Sequence, residues 1–227
     1  MPVIQASEQY PPGTIGIMTG ELQRYGLFTQ ALLSLQVPKG TKLVWCTGPD
    51  LCQNMNNMVS KLEGEWLWIL GDDHFFESDI LLRLLKHDVD IVVPICPRRI
   101  PPFDPVWFQY SDKMQNKLQD ETLGSVAGQE GLRVLEAAGT AGMLVKKHVF
   151  EKLGSPWFVP DADTPGIVCE DLAFCKRVNK LGYKVLGDIT TALGHITSTA
   201  ITLQAQEDGS INVVMQFWRG WELELSE

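Results

Sequence analysis

The segment Trp66-Leu67-Trp68-Ile69-Leu70 constrains this chain more than any other. It is apolar at every position and stops abruptly at Gly71-Asp72-Asp73-His74. A half-buried strand would alternate apolar and polar residues. An unbroken apolar run of this length, bounded by Gly64 and Gly71, reads as a strand covered by helices on both faces of a largely parallel sheet. Ligands of open α/β sheets bind just beyond the carboxyl ends of such strands. Two adjacent acids there require a positive partner, and hard oxygen ligands suit Mg²⁺ or Mn²⁺. The same residues also fit a solvated turn in which Asp73 caps the following helix, and the local pattern leaves both readings open.

The flanking pattern extends the first reading. Thr14–Thr19 is a short strand introduced by Pro11-Pro12-Gly13, and an amphipathic helix follows with Tyr25, Phe28, Leu32 and Leu35 on one face, ended by Pro38-Lys39-Gly40. Thr41–Cys46 is a second strand, residues 51–63 a helix, and a third helix carries Ile80, Leu81, Leu84 and Leu85 before the buried strand Asp90–Ile95. Strands alternating with helices predict βαβ units, and right-handed crossovers bring Thr19, Gly20, Asp50, Asp72 and Asp73 to one sheet edge. Pro97–Pro102 breaks the pattern, and the polar, glycine-containing residues 104–130 read as a long excursion or lid. Beyond it come Leu132–Leu135, a small-residue turn entering a strand that ends at Val145, and the helix Val149–Leu153. A Gly/Pro-rich loop (Pro160–Gly166), a helix opening at Glu170-Asp171 and a strand at Lys184–Leu186 follow. The tail, Ala200–Gln206 and Ile211–Phe217 around Asp208-Gly209, predicts a hairpin.

At 227 residues the chain suits one α/β domain, with residues 14–100 and 101–197 as its two halves and 198–227 as a tail. A formal charge of −9 argues against non-specific binding to nucleic acid or anionic membranes. The five scattered cysteines form no paired spacing and predict a reducing, cytoplasmic setting. The N-terminus lacks the pattern of a signal peptide, and no apolar run is long enough to span a bilayer. A homo-oligomer is compatible with the composition.

Three features carry candidate chemistry. They are the strand end Gly71–His74, the acid pair Glu170-Asp171 at a helix start, and Gly194-His195. Each has a plain structural reading as well: acids in a first helical turn suit the helix dipole, and a histidine can simply be packed. Arg98-Arg99 reads either as a solvated corner or as a clamp for a phosphate or carboxylate. His87 and His148 receive no role.

In order along the chain stand Trp66-Leu-Trp-Ile-Leu-Gly-Asp-Asp-His, Asp79-Ile-Leu-Leu-Arg-Leu-Leu and Asp90-Ile-Val-Val-Pro-Ile-Cys-Pro-Arg-Arg. Ala138-Gly-Thr-Ala-Gly-Met-Leu-Val, Glu170-Asp-Leu-Ala-Phe-Cys-Lys-Arg and Leu193-Gly-His-Ile follow. This series resembles the nucleotide-sugar-dependent glycosyltransferases of the GT-A fold, family-2-like and of the short phage or bacterial type, over about residues 14–197. The resemblance implies a three-layer, Rossmann-like α/β sandwich with a mostly parallel central sheet and a C-terminal β-hairpin, residues 14–100 being the nucleotide-binding half and 101–197 the acceptor and catalytic half.

By register, the resemblance makes Asp73 the last acid of an Asp-x-Asp motif and a metal ligand. Asp72 becomes a substrate-binding neighbour, and His195 completes the metal or diphosphate site. Gly71 departs from the family, which carries an acid there. Mn²⁺ is implied over Mg²⁺ by the mixed carboxylate and imidazole donors. Asp171 is implied as the general base on the acceptor, with Glu170 beside it. Thr19, Gly20 and Asp50 match positions cradling the nucleotide, Asn57 another substrate position, and Gly139, Thr140 and Gly142 the floor under the donor sugar. Arg98 is taken as the cationic contact to the diphosphate. The partners implied are a nucleotide-diphosphate sugar and an acceptor that is a saccharide, a protein or a modified nucleobase. Two other readings remain open: a sugar nucleotidyltransferase, disfavoured because Gly20-Glu21-Leu22-Gln23 lacks a Gly/Lys-rich loop, and a non-catalytic binding module of the same fold.

Overall fold

The computed structural model describes residues 5–20, 25–111, 117–161, 169–205, 211–217 and 221–225. Its frame follows the chain as β1 (Thr14–Thr19), α1 (Gly26–Ser34), β2 (Lys42–Thr47), α2 (Leu51–Ser60), β3 (Trp66–Gly71), α3 (Ile80–Lys86) and β4 (Ile91–Ile95). The second half adds β5 (Leu132–Leu135), β6 (Leu144–Lys146), α4 (Lys147–Leu153), α5 (Glu170–Lys180) and β7 (Val185–Ala192). The seven strands form one sheet in the order β5-β7-β4-β6-β3-β1-β2. β1, β2, β3, β4 and β7 share one direction, because β6 lies antiparallel to both β3 and β4. β5 closes one edge antiparallel to β7.

The apolar run at β3 explains itself in this setting. Trp66, Trp68 and Leu70 face a cluster containing Phe28 and Leu32 of α1 and Ile80, Leu81 and Leu84 of α3. Leu67 and Ile69 face the opposite cluster, with Met55 and Met58 of α2, Phe150 of α4 and Phe174 and Val178 of α5. Alternate residues therefore enter two cores, and neither face has room for a polar side chain. Trp68, fully buried, still satisfies its indole N–H by donating to the Gly142 carbonyl at 2.9 Å.

Several local expectations need correcting. The first helix stops at Ser34, and Gln36–Pro38 instead forms a short strand parallel to Gln5–Ser7. The 104–130 segment is largely ordered scaffold. Trp107–Ser111 pairs with Lys117–Asp120 and with Ala137–Ala138, and the one-turn helix Leu123–Val126 follows. Thr122 and Ser125 cap that helix reciprocally, Arg133 pairs with buried Glu121 at 2.7 Å, and the Leu123 N–H donates to Asp104 at 2.9 Å. The expected tail hairpin is present as Thr199–Ala205 against Ile211–Phe217, extended by a third strand, Trp221–Leu225. Its Asp208-Gly209 turn, most of the Pro160–Gly166 loop and residues 21–23 after Gly20 lie outside the described residues. Among the described residues, no helix is long and apolar enough to cross a membrane.

Candidate active site

The shared direction of β1 and β3 brings Thr19 and Gly71–Asp73 to the same edge, where an open cleft of about 550 Å³ lies. Thr19, Gly20, Asp72, Asp73, Gly139, Thr140, Glu170, Asp171 and His195 all line it. These residues come from five separate stretches of chain. The cleft also takes Asn54, His74, Arg99 and Val106.

Asp73 sits in the turn after β3 and is held from three sides. Its Oδ2 lies 3.2 Å from His195 Nε2 and 3.1 Å from Arg99 Nη1, and its Oδ1 lies 3.8 Å from His74 Nε2. Burial pushes the Asp73 carboxyl up, but the His195 hydrogen bond and the neighbouring His74, His195 and Arg99 outweigh it and hold the group at about 2. A two-stranded ribbon delivers the imidazoles: His74–Phe75 pairs antiparallel with Gly194–His195, His195 lying opposite His74. The Ile196 N–H donates to the Asp73 carbonyl at 2.7 Å and ties the ribbon to the turn.

Hydrogen bonding separates the two histidines chemically. His195 Nδ1 lies 2.9 Å from the Pro97 carbonyl, which can only accept, so Nδ1 carries a proton. In the neutral ring Nε2 is then a bare lone pair facing the Asp73 carboxylate. Two acceptors at 3.2 Å call for positive charge: Arg99 stands beside the carboxylate at 3.1 Å, and a proton on the ring or a metal ion would supply it between them. His74 is the reverse case. Its Nδ1 accepts the Gly71 N–H at 3.0 Å, leaving Nε2 as the N–H end in the neutral ring. Burial pushes this imidazole down to about 4. His74, Cys96 and His195 present ligand atoms within 4.8 Å of one another. Burial pushes the Cys96 thiol up to about 12, and His74 would have to surrender the Gly71 bond to ligate through Nε2. Asp73 and His195, with Arg99 beside them, are thus the better placed donors for a divalent ion.

Gly71 now has a physical reason. A Cβ at that position would lie 2.5 Å from Asp73 Oδ1 and 3.3 Å from His74 Cε1. The space that an acid at the first motif position would occupy is filled by the carboxylate of the third.

Across the cleft, Glu170 and Asp171 open α5, whose N-cap Cys169 makes no side-chain cap. Asp171 Oδ1 accepts the adjacent Leu172 N–H at 2.8 Å, and its Oδ2 lies 3.5 Å from where a Gly139 Cβ would be. Burial, then the charges of Asp171 and Asp50, push the Glu170 carboxyl above its ordinary value despite an opposing backbone hydrogen bond. Burial and a hydrogen bond to Asp171 push the Cys169 thiol up to about 12, so it serves as a neutral donor. Thr19 is pinned by the Trp45 indole, which donates to its Oγ1 at 2.6 Å.

Four residues expected in the site do not line the cleft. Asp50 caps α2 by accepting the Gln53 N–H at 2.9 Å. Asn57 is on the exposed side of α2; Asn54, one turn earlier, lines the cleft and donates to the Gly48 carbonyl at 2.9 Å. Arg98 pairs with Asp120 and lies over the Phe108 ring, while Arg99 takes the cleft position. Gly142 has φ +70°, and a Cβ there would meet Pro94 at 2.7 Å, so its smallness serves packing. The sequence reading also missed His74 as a partner of Asp73, although its position beside the acid pair was a usable signal. His87 and His148 do have acidic partners in the fold, Asp188 at 2.7 Å and Asp90 at 2.9 Å, and neither pair lines the cleft.

No protein-family model matches the chain, and no curated protein matches its sequence. Its fold does match solved structures. One is A197 from STIV, with a TM-score of 0.50 and 13% identity, over 87% of this chain and 92% of that one. Another is GalNAc-T7 with UDP, GalNAc and Mn²⁺, with a TM-score of 0.55 and 9% identity, over 86% of this chain. The match spans 44% of the GalNAc-T7 chain, so this protein corresponds to less than half of it. At such identities the likeness is one of fold, and that fold is glycosyltransferase-like.

Proposed function

We propose that the chain is a metal-dependent glycosyltransferase that moves a sugar from a nucleotide-diphosphate donor to an acceptor hydroxyl. The observation that carries this reading is the meeting, in one strand-end cleft, of the Asp73–His195 pair and the Glu170-Asp171 pair. The one carboxylate and one imidazole would hold Mn²⁺, or less readily Mg²⁺, leaving room for diphosphate oxygens. Such an ion supplies charge stabilisation to the departing nucleoside diphosphate.

The remaining work falls to the chain's own groups. Arg99, at the cleft rim, adds positive charge where the leaving group develops negative charge. Asp171 takes the proton from the attacking acceptor hydroxyl, and Glu170 beside it keeps the local field negative. Gly139 and Thr140 present a low floor on which a donor sugar can rest, since Gly139 carries no side chain toward Asp171. Thr19, Gly20 and Asn54 offer polar edges to the nucleoside.

Release of free nucleoside diphosphate from UDP-, GDP- and dTDP-sugars in the presence of Mn²⁺ tests the reading. Asp73→Ala and chelation should each abolish turnover. Asp171→Asn should lose transfer while still binding donor. Failure of every sugar nucleotide to bind or turn over would sink the proposal, and lost donor binding in Asp171→Asn would remove Asp171 as the base.

A further inference from the structure

The histidine ribbon has a second face that the proposed transfer does not use. Its register sets His74 opposite His195 and Phe75 opposite Gly194, so successive side chains alternate between two sides. The imidazoles border the cleft. Phe75 and Gly194 instead line an apolar cavity of about 650 Å³ behind the ribbon, closed further by Phe76, Ile95, Pro97 and Leu123.

Three observations say what this cavity is suited to hold. Phe75 and Leu123 stand 46% and 47% exposed on its walls, a solvent exposure of large apolar surface that a ligand would relieve. The Phe75 ring lies across Gly194, where a Cβ would fall 2.2 Å from it, so the glycine lets the ring form the wall. The charges at the cavity are already paired: Arg83 lies 2.8 Å from Glu77 and 3.3 Å from Asp79, its buried Nε alone making no hydrogen bond, and the Thr190 hydroxyl donates to Asp188 at 2.7 Å. Among the described residues, the lining offers shape and apolar surface without an unmatched charge. Its volume falls within the range of small-molecule sites, about 300–1,000 Å³.

We propose that this cavity binds a neutral, apolar small molecule, and that its occupancy strengthens cation binding on the other face of the ribbon. The route is short. Phe75 adjoins His74, and Pro97, a cavity wall, is the residue whose carbonyl holds His195 Nδ1 at 2.9 Å. A molecule packed against Phe75 and Pro97 restrains both imidazole supports, and a pre-ordered site binds its ion more tightly. The coupling half rests on the metal reading of Asp73 and His195; the cavity half stands without it.

The neutral dye Nile red is the probe, titrated by fluorescence into the full chain. Saturable one-to-one binding is expected, weakened at least about tenfold in Ala192→Trp, which fills the cavity, and in Leu123→Glu, which charges its exposed wall. Thermal unfolding shows whether each variant is folded. Mn²⁺ titrated by calorimetry should bind about fivefold more tightly with the dye present, and the dye should tighten by the same factor with Mn²⁺. Absence of saturable dye binding overturns the proposal, as does binding that both folded variants retain. Self-association that excludes the dye assigns this face to a second copy and also overturns it. Dye binding with unchanged Mn²⁺ affinity refutes the coupling. A chain that takes the dye but no Mn²⁺ refutes the metal reading and leaves the cavity assignment standing.

Discussion

Gly71→Ala is the sharpest test of how the acid turn works. Gly71 has no positive φ, so its backbone accepts an L side chain. The main obstacle is Asp73 Oδ1, at 2.5 Å from the new Cβ, with the His74 ring at 3.3 Å a lesser one. Ordinary contact requires the carboxylate to retreat by roughly 1 Å. That retreat is cheap for folding, because Asp73 is partly exposed and its carboxylate is the free end of a side chain, so the stability loss should stay below about 1 kcal/mol. It is expensive for the site. Oδ2 must leave positions 3.2 Å from His195 and 3.1 Å from Arg99, and a binding constellation tolerates about 0.5 Å of displacement. Mn²⁺ affinity should fall about tenfold, or ~1.4 kcal/mol. Calorimetric titration with Mn²⁺ and thermal unfolding of the same preparation read both quantities. Gly71→Asp, which restores an acid at the first motif position, should do no better. Parental Mn²⁺ affinity in Gly71→Ala would refute the reasoning, and a large stability loss would mean the glycine serves the fold.

Arg99→Ala removes a positive charge from beside Asp73, so Mn²⁺ alone should bind roughly two- to fivefold more tightly while nucleoside diphosphate with Mn²⁺ binds more weakly; Arg98→Ala should change neither in the same titrations. Asn56 accepts the Trp157 and Phe158 N–H groups at 2.9 and 3.1 Å and donates to the Phe158 carbonyl at 2.7 Å. Its replacement by Ala strands these backbone groups and should cost about 2 kcal/mol in urea unfolding. For buried Asp188, burial pushes the carboxyl up, but hydrogen bonds including those from Thr190 and His87 prevail and hold it below its ordinary 3.8. A depressed folded-state value means the unfolded chain binds the proton first. The stabilisation is therefore complete above that ordinary value and drains as pH falls through the folded one. Asp188→Asn should flatten this acid limb, and an unchanged slope in urea unfolding across the acid range would contradict it.

The sequence by itself determined the frame of this protein. A short run that is apolar at each of Trp66–Leu70, bounded by Gly64 and Gly71, reads as a strand between two cores, and helical periodicity on either side predicts βαβ connections. Handedness then puts Thr19 and the Asp72-Asp73 turn on one edge. Those are local or nearest-neighbour rules, and periodicity carries them. Only the tertiary structure decided what lies in irregular chain. Nothing periodic distinguishes Arg98 from Arg99 after Pro97, and the fold settles it by setting Asp120 and Phe108 beside one and Asp73 beside the other. The short strand Leu144–Lys146 reads as a strand from its residues, but its antiparallel insertion between β3 and β4 depends on partners far away in sequence. The polar 104–130 segment has the composition of a lid, yet pairing with Ala137–Ala138 and the Arg133–Glu121 contact make most of it scaffold. The two histidines of the ribbon show the division most plainly. Their presence is written in the sequence, but which ring nitrogen keeps its lone pair depends on Pro97 and Gly71, and only folding brings those partners within hydrogen-bond reach.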